Sequence, residues 1–309
     1  MPRSLKIAII VHVFYPEFWD ELASCIHRVD VPYDLFITYD EESKVSVAKR
    51  DFPDAYFIKS ENVGFDIWPF IKVLNSLDLT KYSHILKLHT KRNIQFQRTF
   101  IGGINVAGTR WRRLLLSFIS SDVAWAETRR LFRSYSNIGM VVSPFLILGR
   151  NDCGEVVAGT FDKALLLGSK IGLTGSHFVA GTMFIVRADV LSYLQGRWNV
   201  EDFKSEAFSR DGTLAHVIER LICFCVTTKG LRIASPFETE LEKLRCDIAN
   251  LEGGLKRGLH GYVPRCMKSF VFSHFKNKLT KRGYFLSKLF GIPVWHKKIM
   301  RDSGGRYRL

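Results

Sequence analysis

The segment Ile85-Leu86-Lys87-Leu88-His89-Thr90-Lys91 carries the densest chemistry in this chain. Period-two alternation puts Lys87, His89 and Lys91 on one face of a strand and Leu86 and Leu88 on the other. An unpaired ammonium in a buried strand is expensive. Either an anion such as a diphosphate sits in the adjacent crevice, or the strand end reaches solvent early. A second segment, Asn62-Val63-Gly64-Phe65-Asp66, has the composition of a tight turn. Gly64 admits φ > 0, and Asn62 and Asp66 can hydrogen-bond across it. Asp66 then reads as the N-cap of the next helix or as a carboxylate contacting a ribose, a base or a metal. A third segment follows Asp211. There Leu214, Val217, Ile218, Leu221, Ile222 and Cys225 make an apolar helical stripe, while His216, Glu219 and Arg220 stand at i, i+3 and i+4 on the remaining face. Asp211 can cap that helix, and Glu219 with Arg220 can be an ordinary ion pair or part of a site.

These residues need elements to position them. Hydrophobic patterning predicts strands over 6–13, 33–39, 55–60 and 84–91, alternating with helices over 17–29, 42–51 and 67–78. Pro69 falls early in the third helix, where its missing N–H costs little. Such alternation predicts an α/β fold, a mostly parallel sheet flanked by helices. Ligands bind at the carboxyl ends of such strands, which selects His12, Tyr39, Asp66 and residues 89–92. Further on, 110–120 and 123–135 read as helices, 140–148 as a strand, 178–186 as a buried apolar run and 213–225 as a helix.

The formal charge of +15 is concentrated at one end. Residues 255–309 hold 14 Lys and Arg against the single acid Asp302, whereas residues 1–254 hold 31 basic and 29 acidic side chains. The composition changes after Gly253-Gly254, so a main domain over 1–254 and a basic, aromatic-rich helical tail over 255–309 are expected. Basic residues interleaved with Phe270, Phe272, Phe275, Tyr284, Phe285 and Trp295 suit an anionic membrane surface or docking on another transferase. Nucleic-acid binding is ranked lower, because the tail has no helix-turn-helix, zinc-finger or RNA-binding signature. Cys25, Cys153, Cys223, Cys225, Cys246 and Cys266 form no zinc-spaced cluster and read as reduced structural thiols of a cytoplasmic protein. The apolar run 7–11 is too short for a signal segment, and nothing approaches the ~20 apolar residues of a membrane span.

Six blocks, in order, resemble the rhamnan synthesis protein F family: Val11-His12-Val13-Phe14-Tyr15-Pro16; Asn62-x-Gly64-x-Asp66-Ile67-x-Pro69-Phe70; Leu86-Lys87-Leu88-His89-Thr90-Lys91; Trp111-Arg112-Arg113; Phe178-Val179-Ala180-Gly181-Thr182-Met183-Phe184; and Asp211-Gly212-Thr213-Leu214-Ala215-His216-x-x-Glu219-Arg220. The resemblance implies a GT-A-like domain that transfers a sugar, often rhamnose, from a dTDP- or UDP-linked donor to a lipid-linked glycan of the cell surface. It also implies a peripheral place on the inner face of the membrane, beside other glycosyltransferases. On such a domain the strand 84–91 falls where related enzymes carry an Asp-x-Asp pair holding Mg²⁺ or Mn²⁺. Here His89-Thr90-Lys91 stands instead, and lysine supplies the positive charge directly. Metal-independent transfer is therefore expected, with Mg²⁺ or Mn²⁺ on Asp66 and His89 as the alternative. The donor site implied comprises His12, Asn62, Gly64, Asp66, Lys87, His89, Lys91, Arg92 and Arg220. Inverting transfer needs a base for the acceptor hydroxyl; Asp211 comes first, then Glu219, with His216 in support. Trp111, His177, Gly181 and Thr182 are assigned to the acceptor. The missing Asp-x-Asp also permits a non-catalytic scaffold.

Overall fold

A computed structural model describes residues 6–95, 100–101, 104–143, 146–152, 155–204, 209 and 211–236, with strand segments at 278–279, 284–289, 292–298, 300–301 and 307–308. The first apolar segment forms β1 (Ile7–Val13), and every one of its residues is buried, as a strand covered on both faces requires. In chain order follow α1 (Trp19–Ile26), β2 (Tyr33–Tyr39), α2 (Ser46–Asp51), β3 (Tyr56–Lys59), α3 (Ile67–Ser76) and β4 (His84–His89). Next come β5 (Phe100–Ile101), β6 (Ile104–Asn105), α4 (Arg110–Leu115), α5 (Asp122–Ser134), β7 (Ile138–Val141), β8 (Ile147–Gly149) and α6 (Glu155–Lys170). The series continues with β9 (His177–Val179), β10 (Phe184–Arg187), α7 (Glu201–Lys204), α8 (Leu214–Thr228) and β11 (Arg232–Ala234).

By contacts the chain divides into two units, residues 1–93 with 114–236, and residues 94–113 with 237–309. The first unit is built on a seven-stranded sheet of order β11-β7-β10-β4-β1-β2-β3. The pairs β1–β2, β1–β4, β2–β3 and β7–β11 are parallel, and β10 alone runs against its neighbours β4 and β7. The mostly parallel, helix-flanked sheet read from the sequence is present. Helix α3 buries Ile67, Trp68, Phe70, Ile71, Val73 and Leu74, and α8 buries Val217, Ile218, Leu221 and Ile222 along the stripe that its spacing predicts.

Several boundaries differ from the sequence reading, and the strand read over 84–91 ends at His89, which leaves Lys91 beyond β4. The run 178–186 is not one strand: Gly181 (φ 84°) and Thr182 (φ 51°) turn the chain between β9 and β10. The stretch 140–148 likewise divides into β7 and β8, and the helix expected to reach residue 120 ends at Leu115. Helix α8 begins at Leu214 with Thr213 at its N-cap, so Asp211 lies ahead of the helix and does not cap it.

In the second unit β5 and β6 form an antiparallel pair. The described tail residues are strands: β12 (Lys278–Leu279), β13 (Tyr284–Leu289) and β14 (Ile292–Lys298) in one antiparallel sheet, then β15 (Met300–Arg301) with β16 (Tyr307–Arg308). This corrects the helical tail expected from basic and aromatic composition. Aromatic and β-branched residues favour a pleated surface. Pro293, which lacks a donor, stands on the edge strand β14. Cys153, Cys246 and Cys266 lie outside the described residues; Cys25, Cys223 and Cys225 are buried and free.

Candidate functional site

Register brings the strand-end residues together. His12 on β1 is the lateral neighbour of His89 on β4 and of Thr38 on β2. His12 Nδ1 lies 3.0 Å from Thr38 Oγ1, and that hydroxyl donates to Val11 O at 3.2 Å. The threonine oxygen therefore accepts the imidazole N–H, and Nε2 is left as the acceptor of a neutral ring. Burial pulls the His12 pKa down to about 4. Thr90 Oγ1 accepts from the backbone N–H groups of Phe14 and Tyr15, each at 2.9 Å, which ties the chain leaving β1 to the end of β4.

Lys87, with 1% exposure, is among the most deeply buried side chains. Its ammonium donates to Asp66 Oδ2, to Thr182 O at 3.0 Å and to Thr182 Oγ1 at 3.1 Å. The anion expected beside this lysine is the Asp66 carboxylate of the protein itself. Thr182 Oγ1 also donates to Asp66 Oδ2 at 2.5 Å. Asp66 stands at the start of α3 but makes no capping bond there. Burial works against its ionisation, yet the neighbouring cations, Lys87 with its hydrogen bond and Lys91 among them, outweigh that and hold the carboxyl well below its usual range. His89, 2% exposed, has Nδ1 3.5 Å from Asp66 Oδ2, beyond normal hydrogen-bond length, and neither ring nitrogen has a hydrogen-bond partner among the described residues. Burial drives its pKa well down, so the ring is neutral.

On α8, Arg220 is 1% exposed. Its Nη1 donates to His216 O at 2.8 Å and Glu219 Oε2 at 2.7 Å, and its Nη2 to Asp211 Oδ2 at 2.9 Å. The guanidinium also stands 4.3 Å from the centre of the Phe178 ring, a cation–π distance. Glu219 Oε1 accepts the Gly181 N–H at 2.9 Å. Burial raises the Glu219 pKa above its ordinary value, against the pull of Arg220. His216 Nδ1 lies 2.7 Å from Thr213 Oγ1, and burial lowers its pKa.

These segments enclose a cavity of about 390 Å³. Phe65, Asp66 and Ile67 line one side, Lys91 the strand end, Gly181 and Thr182 the turn before β10, and Ser209, Ala215, His216 and Glu219 the remainder. Phe65 (φ 55°) and Thr182 (φ 51°) are the non-glycine residues in left-handed backbone among the described residues. Such a conformation costs roughly 1–2 kcal/mol per residue, and here both fall on the cavity wall, as strain at functional sites does. Gly64 (φ 62°) precedes Phe65, and a Cβ there would meet Phe203 Cδ1 at 2.5 Å and Trp68 Cβ at 2.9 Å.

The structure thus groups Asp66, Lys91, Gly181, Thr182, His216 and Glu219. It keeps Lys87, His89 and Arg220 behind the wall as buried partners of those groups. Asp211 lies outside the lining, with Oδ2 on Arg220 and Oδ1 accepting from Gly212 N at 2.7 Å. Asn62 and Arg92 are exposed and do not line the cavity, and His177 is exposed with Nδ1 2.8 Å from Ser176 Oγ. Trp111 belongs to the second unit. Phe65, whose ring centre is 5.3 Å from that of His216, was not singled out from the sequence; its place directly after Gly64 was the available signal. No group of three or more candidate ligands is placed to hold a metal among the described residues. Asp66 Oδ2 is taken by Lys87 and Thr182, so a Mg²⁺ or Mn²⁺ held by Asp66 and His89 would have to use Asp66 Oδ1 and an unpartnered His89 nitrogen.

A model of the family described as rhamnan synthesis protein F matches residues 1–231. Two proteins described as uncharacterized protein WxcX, from two strains of Xanthomonas campestris pv. campestris, are 28% identical over 244 residues, covering 76% of this chain and 33% of their own. The chain spans about a third of the length of those relatives. Among solved structures, residues 1–349 of S. aureus TarS align at 10% identity and TM-score 0.35, over 75% of this chain and 58% of that one. A CMP:2-keto-3-deoxy-manno-octonic acid synthetase complexed with CTP aligns at 9% identity and TM-score 0.32, over 80% and 99%.

Proposed function

The chain belongs to the rhamnan synthesis protein F family, and on that premise we propose that it is a glycosyltransferase, moving a sugar from a nucleoside-diphosphate donor to a growing surface polysaccharide. The observation that carries this is the cavity at the carboxyl end of β4, where the Lys91 ammonium, the Glu219 carboxylate and the neutral His216 converge from separate segments. No acidic side chain among the described residues lies within ion-pair distance of Lys91, which leaves its charge for a leaving diphosphate. Glu219, with its pKa raised by burial, takes the proton of the acceptor hydroxyl. Rhamnose from a dTDP or UDP donor, an inverting outcome and a lipid-linked acceptor complete this reading. Thermal unfolding with a panel of nucleotide sugars tests it. At least one donor raises the melting temperature in excess EDTA, and Lys91→Ala weakens that donor about tenfold or more. Protection that needs Mn²⁺, or that survives Lys91→Ala unchanged, rejects the assigned role.

The positive charge of residues 255–309 supports a second element of the proposal, attachment to an anionic membrane face where a lipid-linked acceptor would be met. No helix among the described residues is long and apolar enough to cross a membrane. Flotation with phosphatidylglycerol vesicles is expected for the full chain and lost when residues 255–309 are removed. Equal flotation of the truncated protein contradicts the attachment.

A further inference from the structure

We propose that Lys87 is a positioning residue that locks the two cavity walls together, rather than a ligand of the donor. The inference rests on the donor-site reading above and extends it to a residue outside the cavity. An ammonium has three donors. Those of Lys87 go to Asp66 Oδ2, Thr182 O and Thr182 Oγ1, and none is left for a substrate. The two residues it grips belong to different turns. Asp66 follows Phe65 in left-handed backbone, and Thr182 is itself left-handed. Thr182 Oγ1 also bonds Asp66 Oδ2 across 116 positions of sequence. Lys87 therefore braces two strained turns that the Thr182–Asp66 bond also joins directly.

The second turn carries the link to chemistry. Gly181, next to Thr182, donates its N–H to Glu219 Oε1 at 2.9 Å. Moving that turn moves the carboxylate assigned as base, although Lys87 touches neither it nor the cavity. The Phe70 ring, its centre 5.5 Å from Nζ, closes the apolar side, so water does not replace the lost contacts easily. A lysine acting on the diphosphate would control donor affinity. A lysine acting through the turns controls the placement of Glu219, hence turnover.

Lys87→Met keeps the stem and removes the charge. Lys87→Met/Asp66→Asn serves as a second variant, since it strands no carboxylate. Amide hydrogen exchange is followed at Ile67, bonded to Gly64 O at 3.1 Å, and at Gly181, bonded to Glu219. Exchange at both is expected to rise about tenfold or more, with β1 amides within about twofold of wild type. In turnover of Lys87→Met, kcat falls about tenfold or more while the dissociation constants of dTDP and UDP change less than about threefold. Unchanged exchange at the two turns, or a uniform rise across the sheet, overturns the proposal. So does a tenfold loss of nucleotide affinity with kcat intact. If the wild-type protein binds no nucleotide sugar, the donor reading fails, and the exchange measurement still decides whether Lys87 holds the turns.

Discussion

Glu219→Gln is expected to lower kcat about 10²–10⁴-fold, the range general-base catalysis contributes, with donor affinity nearly unchanged. The substitution is nearly isosteric and its carbonyl oxygen can still accept from Gly181 N, so the bond to the turn is kept while the proton acceptor is lost. Its NH2 then faces Arg220 Nη1, so the melting temperature is measured beside kcat. The pH profile supplies the sharper test. Burial raises the Glu219 pKa above the ordinary carboxylate value of 4.5, and the base works only when ionised. Activity therefore rises with pH through that raised value and falls away below it. Burial lowers the His216 pKa, so a His216→Asn variant, which keeps the Glu219 limb, separates the two groups. In Glu219→Gln the acid limb disappears. A rate within tenfold of wild type, or an unaltered limb, removes Glu219 from the mechanism.

Arg220→Ala should be the most damaging single change to stability. Arg220 is 1% exposed and pairs with both Asp211 and Glu219. Deleting it leaves two largely buried carboxylates without their cation, and breaking a buried pair in this way costs up to about 3–5 kcal/mol. For a unit of this size each kcal/mol lowers the melting temperature by roughly 2–4 °C. Arg220→Lys retains a charge but not the fork that reaches His216 O, Glu219 and Asp211 together, so it falls between wild type and Arg220→Ala. Loss of the guanidinium also removes a charge that holds the Glu219 pKa down, so any surviving activity has its acid limb displaced upward. Urea unfolding measures the first effect. A loss below about 1 kcal/mol would mean that the network is solvated.

The sequence already contained much of this site, because period-two and helical spacing report faces directly. Lys87 and His89 do share a face of β4, and His216 and Glu219 do converge on the cavity side of α8. Spacing cannot report the partner of a buried charge. Lys87 reaches Thr182 across 95 positions, and no local pattern distinguishes that contact from an ammonium awaiting an anion. The apolar run 178–186 concealed a turn for a related reason. Thr182 is a strand-former held in left-handed backbone by Lys87 and Asp66, so tertiary contacts override its propensity. Asp211 reads in the sequence as the start of a helix, yet α8 starts three residues later and the carboxylate turns toward Arg220. Antiparallel β10 was also hidden, since strand direction depends on connections that the pattern does not encode.

A structure of the protein with bound dTDP or UDP decides where the donor sits. The diphosphate is expected in the cavity between Phe65 and His216, within hydrogen-bond reach of Lys91 Nζ, with Lys87 still bonded to Asp66 and Thr182. A nucleotide seated away from Lys91, for example in the groove between α1 and α5 lined by His27, Arg28 and Trp125, would contradict it.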